Sequence, residues 1–189
     1  MFSKRFALIF ALCQGTLSSQ ISGSYKKSES LNPQCLDHGK FKGRWYLFMD
    51  TRSANVRDNT YGDHEVLDDG SVLITLYRWF PSLEECRTTA QKFVPLDSDL
   101  SVKFEVIRMS TKEKLGTHTI LYVNDDPVNG FAIMHQQTHI DTYLITTRTK
   151  NPKNLDDKIS AALSGLNLDS QSFKKKSTNY GCETKTEKG

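Results

Sequence analysis

The chain lacks the short motifs that identify many enzymes and nucleotide-binding proteins. It contains no Gly-x-Ser-x-Gly, His-Glu-x-x-His or Cys-x-x-Cys motif, no P-loop and no dinucleotide-binding fingerprint. It also lacks an Asn-x-Ser/Thr acceptor, so we expect no N-glycosylation. We therefore predict that the protein is not an enzyme and that it uses no cofactor.

Candidate metal ligands are sparse. His135 and His139 lie four residues apart, a spacing that could bind a metal ion on a helix. The residues around them instead predict a strand that leads into a turn, where the two rings need not converge. His64 and His118 are isolated along the chain, and either could ligate a haem, but nothing else in the sequence points to one. We predict no metal centre.

The sequence has little excess of charge of either sign. Its formal net charge is +3, and removal of Lys4 and Arg5 with the leader described below leaves +1. A nearly neutral protein with interspersed charges gives no basis for nucleic-acid binding. The basic run Lys174-Lys175-Lys176 is predicted to be a solvated face rather than a binding patch.

Long apolar runs are absent after the first residues. Lys4 and Arg5 precede an apolar run at residues 6–13, and small and polar residues follow from 15 to 23. This pattern is typical of a secretory signal peptide and is too short to span a bilayer. We assign residues 1–19 to a cleaved leader, with cleavage between 15 and 23, and expect a secreted, extracellular protein without a membrane span.

Neither an internal repeat nor a linker rich in Pro, Gly or Ser divides the rest of the chain. About 165 to 170 residues remain, which suits one domain with a sizeable core. We predict an N-terminal extension at residues 20–40, a single domain at 41–182 and a polar tail at 183–189.

What the chain does contain is a series of short β signals separated by turn residues. We predict eight strands, at residues 44–51, 61–67, 72–80, 86–94, 101–107, 117–123, 130–137 and 141–149. Consecutive antiparallel strands with short turns close into an up-and-down barrel, because closure removes the edge strands. An eight-stranded barrel is either filled by side chains or holds one small ligand.

The hydrophobic period changes after the eighth strand. Apolar residues then follow one another at helical spacing on a single face: Leu155, Ile159, Ala162, Leu163 and Leu166. Asn154 is the predicted N-cap, and the acidic residues at 156 and 157 complement the helix dipole. We predict one C-terminal α-helix that packs on the outside of the barrel, which makes the fold an all-β barrel with one helix.

Three stretches resemble the lipocalin family. Gly43-Arg44-Trp45-Tyr46 resembles the family's strand-opening motif, and residues 141–149 followed by Asn151-Pro152 resemble its last strand and the entry to its helix. Residues 155–168 with Tyr180-Gly181-Cys182 resemble the ending of the apolipoprotein D-like members. The turn at 124–127 departs from the family's usual Thr-Asp-Tyr block.

The resemblance implies structural roles for several residues. Arg148 would pack over Trp45 and close one end of the barrel, and Gly43 would let the chain enter the first strand without a Cβ clash. Cys86 would be bridged to Cys182, which an oxidising compartment permits. Cys35–Cys182 is the alternative pairing, and an unpaired cysteine could link two chains.

The resemblance and the aromatic content also predict a function. We expect a binding and transport protein that holds a small hydrophobic molecule, such as a lipid, retinoid or tetrapyrrole, inside the barrel. The prostaglandin-D synthases of this family use an early cysteine near the barrel mouth, and residues 61–67 contain none. The alternative is a barrel that acts through its loops as a protein-binding inhibitor, or one that scavenges amines. Carboxylates in the pocket would favour amines.

Strand periodicity assigns candidate ligand-binding residues to the interior. On the third strand, Arg78 is taken to mark the outer face, and on the fifth strand apolar residues alternate with charged ones. Periodicity is ambiguous on strands six to eight, because both faces carry apolar residues. On the eighth strand, the position of Arg148 places Leu144 on the side that faces Trp45. The predicted interior residues are Leu73, Tyr77, Trp79, Val102, Phe104, Val106, Tyr122, Met134 and Leu144.

Overall fold

The computed structural model describes residues 37–52, 57–97 and 101–186. The predicted leader and Cys35 lie outside these residues. The barrel strands are β1 (Gly43–Asp50), β2 (Thr60–Val66), β3 (Val72–Phe80), β4 (Glu85–Pro95), β5 (Lys103–Arg108), β6 (Lys114–Asn124), β7 (Phe131–Gln137) and β8 (Asp141–Thr147). A helix α1 (Asp156–Gly165), a two-residue strand β9 (Lys174–Lys175) and a short helix α2 (Gly181–Thr186) follow.

The eight strands pair in chain order, and β1 closes the barrel between β8 and β2. Every pairing is antiparallel, so the predicted eight-stranded up-and-down barrel is confirmed. The connections have seven residues or fewer, except for the nine residues between β1 and β2. None of the helices in the described ranges is long and apolar enough to cross a membrane.

Side chains pack on both surfaces of the sheet. The inner cluster fills the lower part of the barrel and includes Trp45, Phe104, Val106 and Val123. A second cluster lies between the outer surface and α1, whose Ile159 and Leu163 are buried there. The predicted placement of the helix on the outside of the barrel is therefore confirmed.

The start of α1 differs from the prediction. Leu155 occupies the N-cap position, and no side chain caps the helix there. Asn154 instead adopts a left-handed conformation with φ of 59°, which asparagine tolerates better than most residues. Its place is thus in the turn before the helix, while the acidic residues at 156 and 157 lie in the first turn as predicted.

The chain after α1 returns to the barrel and is bound to it at several points. Strand β9 pairs with the end of β1, and Cys86 forms a disulfide with Cys182. The disulfide predicted from the family resemblance is therefore present. The solvated face predicted for residues 174–176 is wrong at Lys176, which is buried and pairs with buried Asp50 at 2.8 Å.

Candidate functional site: a cavity inside the barrel

One end of the barrel is closed around Trp45. The indole is 1% exposed, donates from Nε1 to the carbonyl of Phe41 at 2.9 Å and stacks against the Phe41 ring. The Arg148 guanidinium lies 3.8 Å from the Trp45 ring and donates to the carbonyls of Lys40 and Lys42. Gly43 has φ of 96°, a conformation that favours glycine.

A short helical turn that the sequence analysis did not predict completes this closed end. Residues His38–Phe41 form a 3-10 helix below the barrel. The His38 ring bonds to the carbonyls of Gly70 and Ser101, each at 2.8 Å, and contacts Phe104. The segment therefore joins the β2–β3 turn to the start of β5 and seals the barrel from below.

Above this floor the barrel contains a cavity of about 390 Å³. It reaches from Trp45 to the opposite end, where the loops after β1, β3, β5 and β7 surround the mouth. This volume lies within the range of pockets that hold small molecules. Its apolar lining includes residues from five strands: Trp45, Leu47, Ile74, Leu76, Phe80, Phe93, Met134 and Leu144.

The interior face predicted for β3 is wrong. Ile74, Leu76 and Arg78 line the cavity, whereas Tyr77 and Trp79 pack in an outer cluster. Leu73 alternates with the lining residues and so shares the outer face. Arg78 misled the prediction because it lies near the mouth, where a long cationic side chain can remain solvated from the inner face.

The C-terminal tail explains why β3 carries aromatic residues on its outer face. Tyr77 stacks on Tyr61 with ring centroids 4.8 Å apart, and both belong to an outer cluster with Tyr180 and Cys182. Trp79 packs so closely on Gly181 that any Cβ there would overlap the indole ring. Tyr77 and Trp79 therefore pack against the tail and do not line the cavity.

The residues predicted on β5 lie inside the barrel but below the cavity. Phe104 and Val106 are fully buried in the inner cluster, and Val102 packs against the same cluster. Phe104 borders only a narrow void of about 10 Å³. The structure therefore places this group in the packed floor, not in the wall of the cavity.

The candidates from strands six to eight divide between the two faces. Met134 and Leu144 line the cavity. Tyr122 lies outside, where it stacks on Phe131 in the cluster beneath α1. The register of β6 shifts between Ile120 and Tyr122, which moves Tyr122 to the other face. An irregularity of this kind leaves no signal in the alternation of residues.

Two buried histidines form part of the cavity wall. His64 and His118 both line it, and burial lowers the pKa of each ring to about 3. The positive charge of Arg148 also lowers the pKa of His64, and that of Arg57 also lowers the pKa of His118. Within the described part of the chain, neither nitrogen of His118 forms a hydrogen bond. Its ring can therefore bond to a polar group in the cavity as a neutral imidazole.

Three arginines lie around the upper part of the cavity. Arg57 donates to the Gln136 side chain at 2.7 Å, and Arg78 and Arg87 lie over the Phe80 ring at 4.6 and 4.8 Å. Sequence periodicity missed all three as site residues. Among the residues that the structure describes, no Asp or Glu lines the cavity, and no group of three or more His, Cys, Asp or Glu could hold a metal ion.

Comparisons with known proteins agree with this architecture. The solved structures that match with a TM-score of 0.57 include apocrustacyanin C1, apocrustacyanin A1 from lobster and the allergen Per a 4 from cockroaches. The identities are 16%, 15% and 16%, and the matches cover 75%, 75% and 85% of this chain and 79%, 79% and 94% of the others. No known family model and no curated protein matches the sequence. Barrel, helix and structural neighbours together define a protein with the lipocalin fold.

Proposed function

We propose that this protein is a secreted lipocalin that binds one small, mainly apolar molecule in the barrel and carries it. The observation that supports this most directly is the cavity of about 390 Å³ between the packed floor and the loops. Transfer of apolar ligand surface from water into this lining would drive binding, at roughly 25 cal/mol per Å². The polar side chains in the wall would orient the ligand.

Secretion and family membership belong to the same proposal. The predicted leader at residues 1–19 and the Cys86–Cys182 disulfide both suit an oxidising, extracellular compartment. The resemblance of the C-terminal part to apolipoprotein D-like proteins supports a place in that subfamily. We propose a binding protein rather than an enzyme.

The cavity argues against the amine-scavenging alternative. Carboxylates would be needed to pair with an ammonium group, and no described Asp or Glu lines the cavity. The three arginines there would repel a cation. A protein-binding role for the mouth loops remains the alternative that the experiment below would favour if the cavity binds no ligand.

Two neighbouring threonines on β4 provide a matched test. Thr89 lines the cavity, whereas Thr88 pairs with Tyr77 on the outer face, and both are exposed enough to accept a larger side chain. We expect a neutral fluorescent probe, N-phenylnaphthylamine, to bind the wild-type protein with near one-to-one stoichiometry. Thr89→Trp should weaken binding about tenfold or more by filling the mouth, while Thr88→Trp should leave it within about twofold.

The measurement is a fluorescence titration of variants whose circular dichroism matches the wild-type spectrum. If the wild type binds no apolar probe, or if both tryptophan variants bind as the wild type does, the carrier function is wrong.

A further inference from the structure

His118 has an unusual environment in the wall of the cavity. Its ring lines the cavity from β6 and is buried, yet neither ring nitrogen forms a hydrogen bond within the described part of the chain. Buried polar atoms of folded proteins nearly always have a partner, because an unpaired one destabilises the fold. The described residues thus supply no partner for this imidazole, although an apolar side chain in its place would need none.

The other histidines of the barrel have different surroundings. His38 is also buried, and its two ring nitrogens bond to carbonyl oxygens at 2.8 Å. The His135 ring bonds to a carboxylate on the outer face. The Nδ1 atom of His64 is unpaired, but this ring packs against Phe41 in the closed end. His118 combines two unpaired buried nitrogens with a position in the cavity wall away from that end.

A second polar side chain lies beside His118. The register of the sheet pairs His118 on β6 with Gln136 on β7, and both side chains line the cavity. Arg57 donates to Oε1 of Gln136 at 2.7 Å. This bond orients the amide and leaves its Nε2 amino group as a hydrogen-bond donor. The wall of the cavity therefore presents an imidazole and an amide donor on neighbouring strands.

The His118 ring is neutral at neutral pH. Burial lowers its pKa to about 3, and it contacts the Phe93 ring with centroids 5.0 Å apart. A neutral imidazole has one N–H donor and one acceptor nitrogen. With the donor of Gln136 beside it, the pair suits a group that both donates and accepts a hydrogen bond. A hydroxyl group does both, whereas a carbonyl oxygen only accepts.

We propose that the cavity takes an uncharged apolar alcohol, whose hydroxyl group bonds to His118 and Gln136. The hydroxyl donates to the imidazole and accepts from the amide, so the ligand supplies the partner that His118 lacks. The apolar body of the ligand lies along Met134 and Leu144, which line the same cavity. This inference rests on the proposed carrier function and adds the chemical class of the ligand.

Three compounds with the same carbon ring test the proposal: cyclododecanol, cyclododecanone and cyclododecane. Each would displace N-phenylnaphthylamine from the cavity, and the fluorescence titration gives its Kd. The three compounds lose different amounts of hydration when they leave water. The informative quantity is therefore the change in each Kd when His118 is replaced.

Variants of the two polar residues locate the hydroxyl group. His118→Met should weaken cyclododecanol binding about tenfold, because the buried hydroxyl loses its acceptor. Cyclododecane should stay within about twofold and the ketone within about threefold. His118→Gln keeps a donor and an acceptor, so it should restore part of the alcohol affinity. Gln136→Met should also weaken binding of the alcohol more than that of the hydrocarbon.

His135 provides the matched control. It is adjacent to Gln136 in the chain, faces the outer side and does not line the cavity. His135→Met makes the same substitution as His118→Met on the opposite face of the sheet. We expect it to leave the Kd of all three compounds within about twofold of the wild-type values.

A measurement on the wild-type protein does not depend on the folding of any variant. In nitrogen-15 NMR spectra, cyclododecanol should shift the ring signals of His118 more than cyclododecane does, because a new hydrogen bond changes the electron density at the nitrogen. The ring signals of His135 should not respond to either compound.

The outcomes separate the inference from the function on which it rests. Equal losses for the alcohol and the hydrocarbon in His118→Met, or equal ring shifts with the two compounds, would overturn the hydroxyl site and leave the carrier function in place. Equal losses for the ketone and the alcohol would overturn the specificity for a hydroxyl group. Failure of the wild-type protein to bind the neutral probe and all three compounds would overturn the carrier function itself.

Discussion

Trp45 is the single residue on which the closed end of the barrel depends most. Its indole contacts Phe41 below and the Arg148 guanidinium at the side, and its Nε1 bonds to a backbone carbonyl. The same ring also forms the floor of the cavity. Loss of the Trp45 side chain would therefore open a void and would also deprive the Arg148 guanidinium of the ring that it contacts.

The two tryptophans of the chain allow a direct comparison. Trp45→Ala should lower the free energy of unfolding by about 3–5 kcal/mol, because a large buried side chain is removed from a packed site. Trp79→Ala should cost less, since Trp79 is half-buried on the outer face. Urea denaturation measures both. A cost below about 1 kcal/mol for Trp45→Ala would show that the closed end does not depend on it.

Some residues of the barrel could be assigned from the sequence, and others could not. Gly43, Trp45 and Arg148 could be assigned because a motif specifies them. The inward residues of β3 could not, because strand alternation reveals two faces but not which one faces the interior of the barrel. Arg78 is charged and faces inward, and Tyr77 is aromatic and faces outward, so polarity alone gives the wrong answer there.

Among the elements, the C-terminal tail is the part that sequence patterns describe least. Its two-residue strand β9 is too short for periodicity to detect. The long strands were predicted within a few residues, because runs such as Val72 to Phe80 are continuous and end at turn residues. The tail depends instead on contacts with distant parts of the chain, including the disulfide and the Lys176–Asp50 ion pair.

The ion pair in the tail offers a test at this scale. Lys176→Met should lower the free energy of unfolding by about 3–5 kcal/mol, because it leaves the buried Asp50 carboxylate without its partner. Lys175→Met should change it by about 1 kcal/mol or less, since Lys175 forms an exposed ion pair with Asp156 and a cation–π contact with the Phe48 ring at 5.5 Å. Thermal or urea denaturation of the two neighbouring variants provides the comparison. Equal costs would show that the buried pair does not hold the tail.

For the whole molecule, the buried histidines connect the cavity to acid stability. His64 lies near Arg148 and Asp63, and His118 lies near Arg57, His64 and His135. Both rings have a pKa of about 3 in the folded protein, compared with an ordinary value of 6.5. The unfolded chain therefore binds protons below about pH 6.5 that the folded barrel cannot accept.

We expect stability to fall as the solution becomes acidic. Below its unfolded pKa, each histidine lowers the free energy of unfolding by about 1.4 kcal/mol per pH unit. The two together therefore lower it by about 4 kcal/mol between about pH 7 and about pH 5. The double variant His64→Met/His118→Met should lose most of this slope. His139→Met should keep it, because His139 is exposed. Urea midpoints across this pH range measure the effect, and an unchanged slope in the double variant would contradict the assignment.

The disulfide between Cys86 and Cys182 has a consequence for how the protein withstands proteases. It joins residues 96 positions apart and so encloses β4 to β8, α1 and most of the tail in one covalent ring. A single cut in an exposed turn within the ring, such as residues 109–113, would release no fragment. The nicked barrel would keep its strands together, and its cavity with them, until a reductant opened the ring. A barrel built in this way can be cleaved once and still keep the cavity that we propose as its binding site.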